Sequence, residues 1–111
     1  MPTLDVNGQS VHYVQTGGGA PVLVLVHGAG GDHTTWMRQL EGLADSATVV
    51  ALDLPGHGAS SGDGCRAVAD YAAALRGFLA RLGRGPVVLG GHSMGGAITQ
   101  TVALDAPELL R

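Results

Sequence analysis

A serine flanked by glycines is the residue best suited to chemistry in this sequence. Gly91, Ser93 and Gly95 form the pattern Gly-x-Ser-x-Gly, which follows the aliphatic segment 87–89 and precedes a helical segment. Such a serine lies on a sharp strand-to-helix turn, where a β-carbon two residues to either side would clash. The turn also places the serine at a helix N-terminus, whose unpaired N–H groups favour a developing oxyanion. The pattern therefore predicts that Ser93 is a nucleophile.

A second glycine-rich loop follows a different apolar segment. Residues 27–31 read His-Gly-Ala-Gly-Gly and come directly after the aliphatic run 22–26. In a parallel sheet the loops that follow the strands open at the same edge, so this loop should face Ser93. A backbone N–H of the loop can then join the Met94 N–H in binding an oxyanion, and we favour the N–H of Ala29.

The elements that must position these loops are visible in the apolar pattern. Alternation around Asn7 and Gly8 predicts an opening β-hairpin. Three aliphatic runs without polar alternation predict parallel strands buried on both faces: 22–26, 48–52 and 87–89. Apolar residues at helical spacing predict three helices: one after residues 32–34, one over 68–82 and one over 95–106. The order is a β-hairpin and then β-α-β-α-β-α, which predicts an α/β fold with a mostly parallel sheet and helices on both faces.

The loop motifs resemble those of a known family, in the same order and over essentially the whole chain. His-Gly-Ala-Gly-Gly, Asp-Leu-Pro-Gly-His-Gly-Ala-Ser and Gly-His-Ser-Met-Gly are similar to the motifs of α/β-hydrolase-fold serine hydrolases. The resemblance implies that Ser93 is the nucleophile and that the N–H groups of Ala29 and Met94 form the oxyanion hole. The supporting motif residues are then His27, Gly28, Gly91, His92 and Gly95. The variant is similar to small-molecule esterases, enol-lactonases, C–C bond hydrolases and cofactor-free haloperoxidases, so we expect no cofactor.

The remaining triad members of that family do not occur at the expected place. The family places its acid and its histidine after the nucleophile, whereas the 18 residues after Ser93 contain Asp105, Glu108 and no histidine. We therefore expect residues 1–111 to form a partial α/β-hydrolase domain, the N-terminal part, without its C-terminal part. A serine without a base stays protonated and is a poor nucleophile, so the chain alone should be largely inactive.

Two functions are consistent with this pattern. The first is a carboxylic-ester-type hydrolase that acts on a small-molecule ester, lactone or related carbonyl substrate through an acyl-enzyme on Ser93. The second is a non-catalytic remnant that acts as a binding or assembly module. In either case the strand at 87–89 would lack a neighbour on one side, and a bare aliphatic edge favours self-association of the chain.

The histidines do not suggest a substitute base or a metal site. We expect His92 to point away along the turn, and His27 to brace its own loop. His57 lies in a loop near the cleft, and His12 and His33 are interpreted as surface residues. None of the five shows metal-ligand spacing, so no metal is predicted. Asp53 is expected to hold its loop.

Composition excludes several classes of partner. The formal charge is −3 and the six basic residues are scattered singly, so binding to nucleic acid is not expected. No apolar run approaches the roughly 18 residues that span a bilayer, so no membrane association is expected. The first residues, Met-Pro-Thr-Leu-Asp, lack the features of a signal peptide, and we expect a cytoplasmic protein.

Overall fold

A five-stranded sheet organises the computed structural model of the chain, which describes residues 2–111. The strands are β1 (Thr3–Val6), β2 (Gln9–Gly17), β3 (Val22–Val26), β4 (Thr48–Leu52) and β5 (Val88–Gly91). The α-helices are α1 (Met37–Gly42), α2 (Val68–Leu82) and α3 (Met94–Asp105), and short 3-10 helices cover His33–Trp36 and Pro107–Leu109. The spatial order of the strands is β1-β2-β4-β3-β5.

The predicted hairpin is confirmed. Strands β1 and β2 pair antiparallel, with Val6 opposite Gln9. The two residues between them, Asn7 and Gly8, have φ of 52° and 82°. Turns with positive φ at both central residues match the twist of the strands they join, and asparagine followed by glycine tolerates that conformation best. Asp5 stabilises the turn by accepting the Gly8 N–H at 2.9 Å.

The predicted parallel core of the sheet is also confirmed. Strand β3 pairs parallel with β4 on one side and with β5 on the other. All five residues of β4 are buried. Val50 and Leu52 contribute to the apolar cluster that includes α2 and α3, whereas Val49 and Ala51 contribute to a second cluster with α1. Helices therefore cover both faces of the sheet, which explains why the central strands lack polar alternation.

Helix α2 has the predicted bounds. Its buried face includes Leu75 and Phe78, which are completely inaccessible to solvent, and burial of each such side chain contributes about 1.5–3 kcal/mol. Gly83 ends the helix with φ of 66°, a left-handed conformation that glycine adopts without strain. None of the helices in residues 2–111 is both long enough and apolar enough to cross a membrane.

Strand β5 and helix α3 differ by one or two residues at each end from the predicted segments 87–89 and 95–106. Val87 lies outside β5 and forms an isolated bridge with Leu110. The strand instead continues through Gly90 and Gly91, which lie opposite residues of β3. Pairing with β3 sets the bounds of β5. The apolar pattern of the sequence does not reveal that Gly90 and Gly91 belong to the strand, because glycine has no apolar side chain.

Candidate active site

Ser93 occupies a strained turn between β5 and α3. Its φ is 58°, a value that residues with a side chain seldom adopt. A β-carbon on Gly91 would lie 2.4 Å from the backbone of Gly95, and one on Gly95 would lie 2.1 Å from the Val26 carbonyl oxygen. Only glycine fits at both positions, so the sequence of the turn and its shape agree. Strain of this kind persists where the surrounding structure enforces it, and it is concentrated at functional sites.

The glycine-rich loop after β3 lies directly against this turn. A β-carbon on Gly28 would come within 3.2 Å of the Ser93 β-carbon. Together the loop and the turn line an open cleft of about 310 Å³. Its lining residues are Gly28, Ala29, Gly30, Gly31, Thr35, His92 and Ser93. The structure thus brings together the two motifs that the sequence separates by more than sixty residues.

Two backbone N–H groups at the cleft are without an acceptor. Within residues 2–111, neither the Ala29 N–H nor the Met94 N–H donates a hydrogen bond. The amides that follow them are used, since the Gly30 N–H donates to His57 Nε2 at 3.1 Å and the Gly95 N–H donates to the His92 carbonyl at 2.9 Å. Unpaired N–H groups next to a serine can bind an oxygen that carries negative charge.

His27 braces the loop from its buried side. Its ring Nδ1 lies 2.7 Å from the Gly28 carbonyl, and its Nε2 accepts the Leu54 N–H at 3.0 Å. Burial lowers the pKa of His27, although the hydrogen bond to Gly28 opposes this effect. Both ring nitrogens are occupied, so His27 has no position left for a proton from Ser93.

The other histidines offer no base to Ser93 either. His57 uses Nε2 for the Gly30 N–H and Nδ1 for the Pro55 carbonyl at 3.0 Å. His92 lines the cleft and is exposed. In the described part of the chain, its ring makes no hydrogen bond with Ser93.

Asp53 forms the centre of a buried network beside the site. It is completely buried, and its carboxylate lies 2.7 Å from His12 Nδ1 and 2.9 Å from His33 Nδ1. It also accepts the backbone N–H groups of His33 at 2.6 Å and Ala59 at 3.1 Å. Burial alone would raise the pKa of Asp53, but these hydrogen bonds outweigh burial and lower it. The expectation that Asp53 holds its loop agrees with these contacts.

The interpretation of His12 and His33 as surface residues is wrong. His12 is only 1% exposed, and His33 is partly buried. These two rings and Asp53 place potential metal ligands within 4.8 Å of one another. Each Nδ1 is hydrogen-bonded directly to a carboxylate oxygen, whereas His12 Nε2 is buried without a hydrogen-bond partner among the described residues. Ligand spacing along the sequence could not reveal this cluster because its members come from three separate segments.

Comparison with known proteins identifies the family. Residues 21–111 match the family described as alpha/beta hydrolase fold. The chain belongs to the α/β-hydrolase family. Over 108 residues this α/β-hydrolase chain is 45% identical to the dihydrolipoyllysine-residue acetyltransferase component of the acetoin cleaving system of Cupriavidus necator. Over 106 residues it is 38% identical to the (E)-2-((N-methylformamido)methylene)succinate hydrolase of Acinetobacter baylyi.

Solved structures also match the chain. A membrane phospholipase A superimposes with a TM-score of 0.93 at 35% identity, over 98% of the chain. The enol-lactonase of Burkholderia xenovorans LB400 superimposes with a TM-score of 0.91 at 28% identity, over 99% of the chain. The chain spans 28% and 40% of the two curated relatives, and 36% and 44% of these two structures. The predicted family and fold class are thus confirmed, for an N-terminal portion of the fold.

Proposed function

We propose that the chain supplies the nucleophile and the oxyanion hole of a hydrolase that forms an acyl-enzyme on Ser93. The observation that carries this proposal is the backbone of Ser93, which is held at φ of 58° between β5 and α3. Such a turn raises the hydroxyl above the carboxyl edge of the sheet, where a carbonyl carbon can approach it. A structural serine has no need of a strained conformation enclosed by two obligatory glycines.

The oxyanion hole is the second part of the proposal. When the serine oxygen attacks a carbonyl, the carbonyl oxygen acquires negative charge, and preorganised N–H donors stabilise that charge. The unpaired N–H groups of Ala29 and Met94 come from the two segments that border the cleft. Loss of one such donor typically lowers the rate by about 10²- to 10³-fold.

The proposed substrates are small esters, lactones or related carbonyl compounds. The cleft volume of about 310 Å³ suits a small molecule. The similar proteins include an (E)-2-((N-methylformamido)methylene)succinate hydrolase and an enol-lactonase, whose names indicate small carbonyl compounds as substrates.

The chain alone is proposed to be a poor catalyst because it lacks a base. In residues 2–111, His27 and His57 have both ring nitrogens occupied, and His12 and His33 bind Asp53. Removal of a triad member from a serine hydrolase leaves a residual acceleration of about 10³- to 10⁴-fold over water. Slow covalent reaction at Ser93, with little turnover, is the expected behaviour.

Labelling with a fluorophosphonate probe tests the proposal. All six basic residues are arginines, and trypsin releases peptide 85–111, in which Ser93 is the only serine. Mass spectrometry should find the probe on this peptide, slowly but at least about tenfold above any other serine peptide. Ser93→Ala should abolish the labelling, whereas a control substitution at the exposed Ser46 should not change it.

Two results would contradict the proposal. One is an even distribution of the probe over all serine peptides of the folded chain. The other is a complete absence of labelling at Ser93 in a sample whose circular dichroism shows native structure. Either result would favour the non-catalytic alternative, in which the chain acts as a binding or assembly module.

A further inference from the structure

Two neighbouring histidine rings, His27 and His57, bind the glycine-rich loop 27–31, called here the oxyanion loop. His27 binds the Gly28 carbonyl through Nδ1, and His57 accepts the Gly30 N–H through Nε2. These contacts fix the peptide groups on both sides of Ala29. The Ala29 N–H between them donates to no group in the described residues and belongs to the segment that lines the cleft.

The hydrogen bonds of His57 define its protonation state. A backbone N–H is always a donor, so Nε2 of His57 must carry a lone pair toward Gly30. A carbonyl oxygen is always an acceptor, so Nδ1 must carry the proton toward Pro55. Only the neutral ring with its proton on Nδ1 satisfies both contacts. A protonated ring would direct an N–H at the N–H of Gly30 and break that contact.

We propose that His57 is a positioning residue for oxyanion binding. Its neutral ring holds the Gly30 peptide and thereby keeps the Ala29 N–H available at the cleft. This inference rests on the proposed role of Ala29 in oxyanion binding. His57 itself does not contact the reacting atoms, because both of its ring nitrogens bind backbone groups.

The surroundings of His57 allow its hydrogen bond to be separated from its packing. Its ring lies 5.0 Å from the ring of His27 and 6.0 Å from that of Tyr71, measured between centroids. These are the titratable side chains whose rings face it, from the oxyanion loop and from α2. A phenylalanine at position 57 keeps an aromatic ring against both neighbours but removes both nitrogens. A glutamine restores an acceptor at a similar distance from the backbone.

Nuclear magnetic resonance of the isotope-labelled chain tests the inference. The Gly30 amide proton should be protected from exchange in the parent chain, because it donates to His57 Nε2. In His57→Phe, Gly30 hydrogen exchange should accelerate about fivefold, and the order parameter of the Ala29 N–H should fall. His57→Gln should recover slow exchange and a rigid Ala29 N–H.

The outcomes separate this inference from the proposed function. If Gly30 exchange is unchanged in His57→Phe, or if Ala29 stays rigid in that variant, the positioning role is refuted. Fluorophosphonate labelling of the same samples supplies the independent readout. If the parent chain reacts at Ser93, His57→Phe should react about tenfold more slowly and His57→Gln should recover. If it does not react at all, the proposed function fails, whereas the resonance data still decide how His57 acts on the loop.

Discussion

Replacement of Asp53 by asparagine changes the centre of the buried network without changing its shape. The carboxylate accepts four hydrogen bonds, two from histidine rings and two from backbone N–H groups. An asparagine side chain has one oxygen and one NH₂ group. Whichever way it is oriented, the NH₂ group meets one backbone N–H and one histidine Nδ1. The backbone N–H loses its acceptor beside a buried side chain, whereas a neutral ring can accept from the NH₂ group through Nδ1.

The magnitude follows from the loss of this backbone contact. A buried donor left without an acceptor costs about 1–3 kcal/mol. One such loss gives about 1–3 kcal/mol, and we expect a decrease of about 2 kcal/mol in the free energy of unfolding. Domains of this size are stable by about 5–15 kcal/mol. Asp53→Asn should therefore remove a measurable part of the stability but leave the chain folded.

Urea denaturation followed by circular dichroism measures this change. Asp63→Asn is the matched control, because Asp63 is exposed and such surface substitutions usually change stability by less than about 0.5 kcal/mol. A loss below about 1 kcal/mol in Asp53→Asn would refute the conclusion that Asp53 organises the network. A similar loss in both variants would indicate that net charge, and not the network, is responsible.

Three further predictions concern the turn, the pH and the sheet edge. Gly95→Ala places a β-carbon 2.1 Å from a carbonyl oxygen of β3 and should lower the free energy of unfolding by more than about 2 kcal/mol. The control Gly96→Ala meets nothing closer than 3.8 Å and should be neutral or stabilising. Equal effects of the two substitutions in urea titrations would contradict this prediction. In the folded chain the pKa of His27 is lowered from its ordinary value of 6.5, and that of Asp53 from 3.8. On acidification both groups therefore bind a proton at a higher pH in the unfolded chain than in the folded chain. Stability should therefore fall as the pH drops below about 6.5 and again below about 4, and urea midpoints that rise on acidification would refute this. In residues 2–111 β5 pairs with β3 on one side only, and Val88 is 38% exposed. Copies of the chain should therefore associate through this unpaired edge of the sheet. Val88→Lys places a charge at the edge and should weaken the association. Sedimentation velocity that shows only monomer at every concentration would contradict that prediction.

Local pattern was sufficient for most of the fold. Strands β3 and β4 and helix α2 have the predicted bounds because their apolar residues follow a clear period that burial enforces. The hairpin was predictable because Asn7 and Gly8 are suited to a turn with positive φ. The shape of the Ser93 turn was also predictable from local sequence. The turn leaves no space for a β-carbon at Gly91 or Gly95, so the spacing of these glycines indicates its shape.

Long-range polar contacts were not predictable in the same way. His12 lies 41 residues from Asp53 along the chain, yet the two side chains form a buried ion pair or hydrogen bond at 2.7 Å. A histidine on a strand near the edge of the sheet has the same local pattern whether it faces solvent or a buried carboxylate. The contact between His57 and Gly30 spans 27 residues and escapes sequence analysis for the same reason.

The central claim is that Ser93 is a nucleophile whose adduct is held by the Ala29 and Met94 N–H groups. Two-dimensional ¹H–¹⁵N spectra of the chain before and after phosphonylation of Ser93 test it most directly. The phosphonyl oxygen takes the place of the oxyanion, so the amide protons of Ala29 and Met94 should shift strongly downfield and become protected from exchange. If Ser93 carries the probe and neither amide responds, the proposed oxyanion hole is wrong. If the probe never reaches Ser93 in the folded chain, the account of the nucleophile is contradicted.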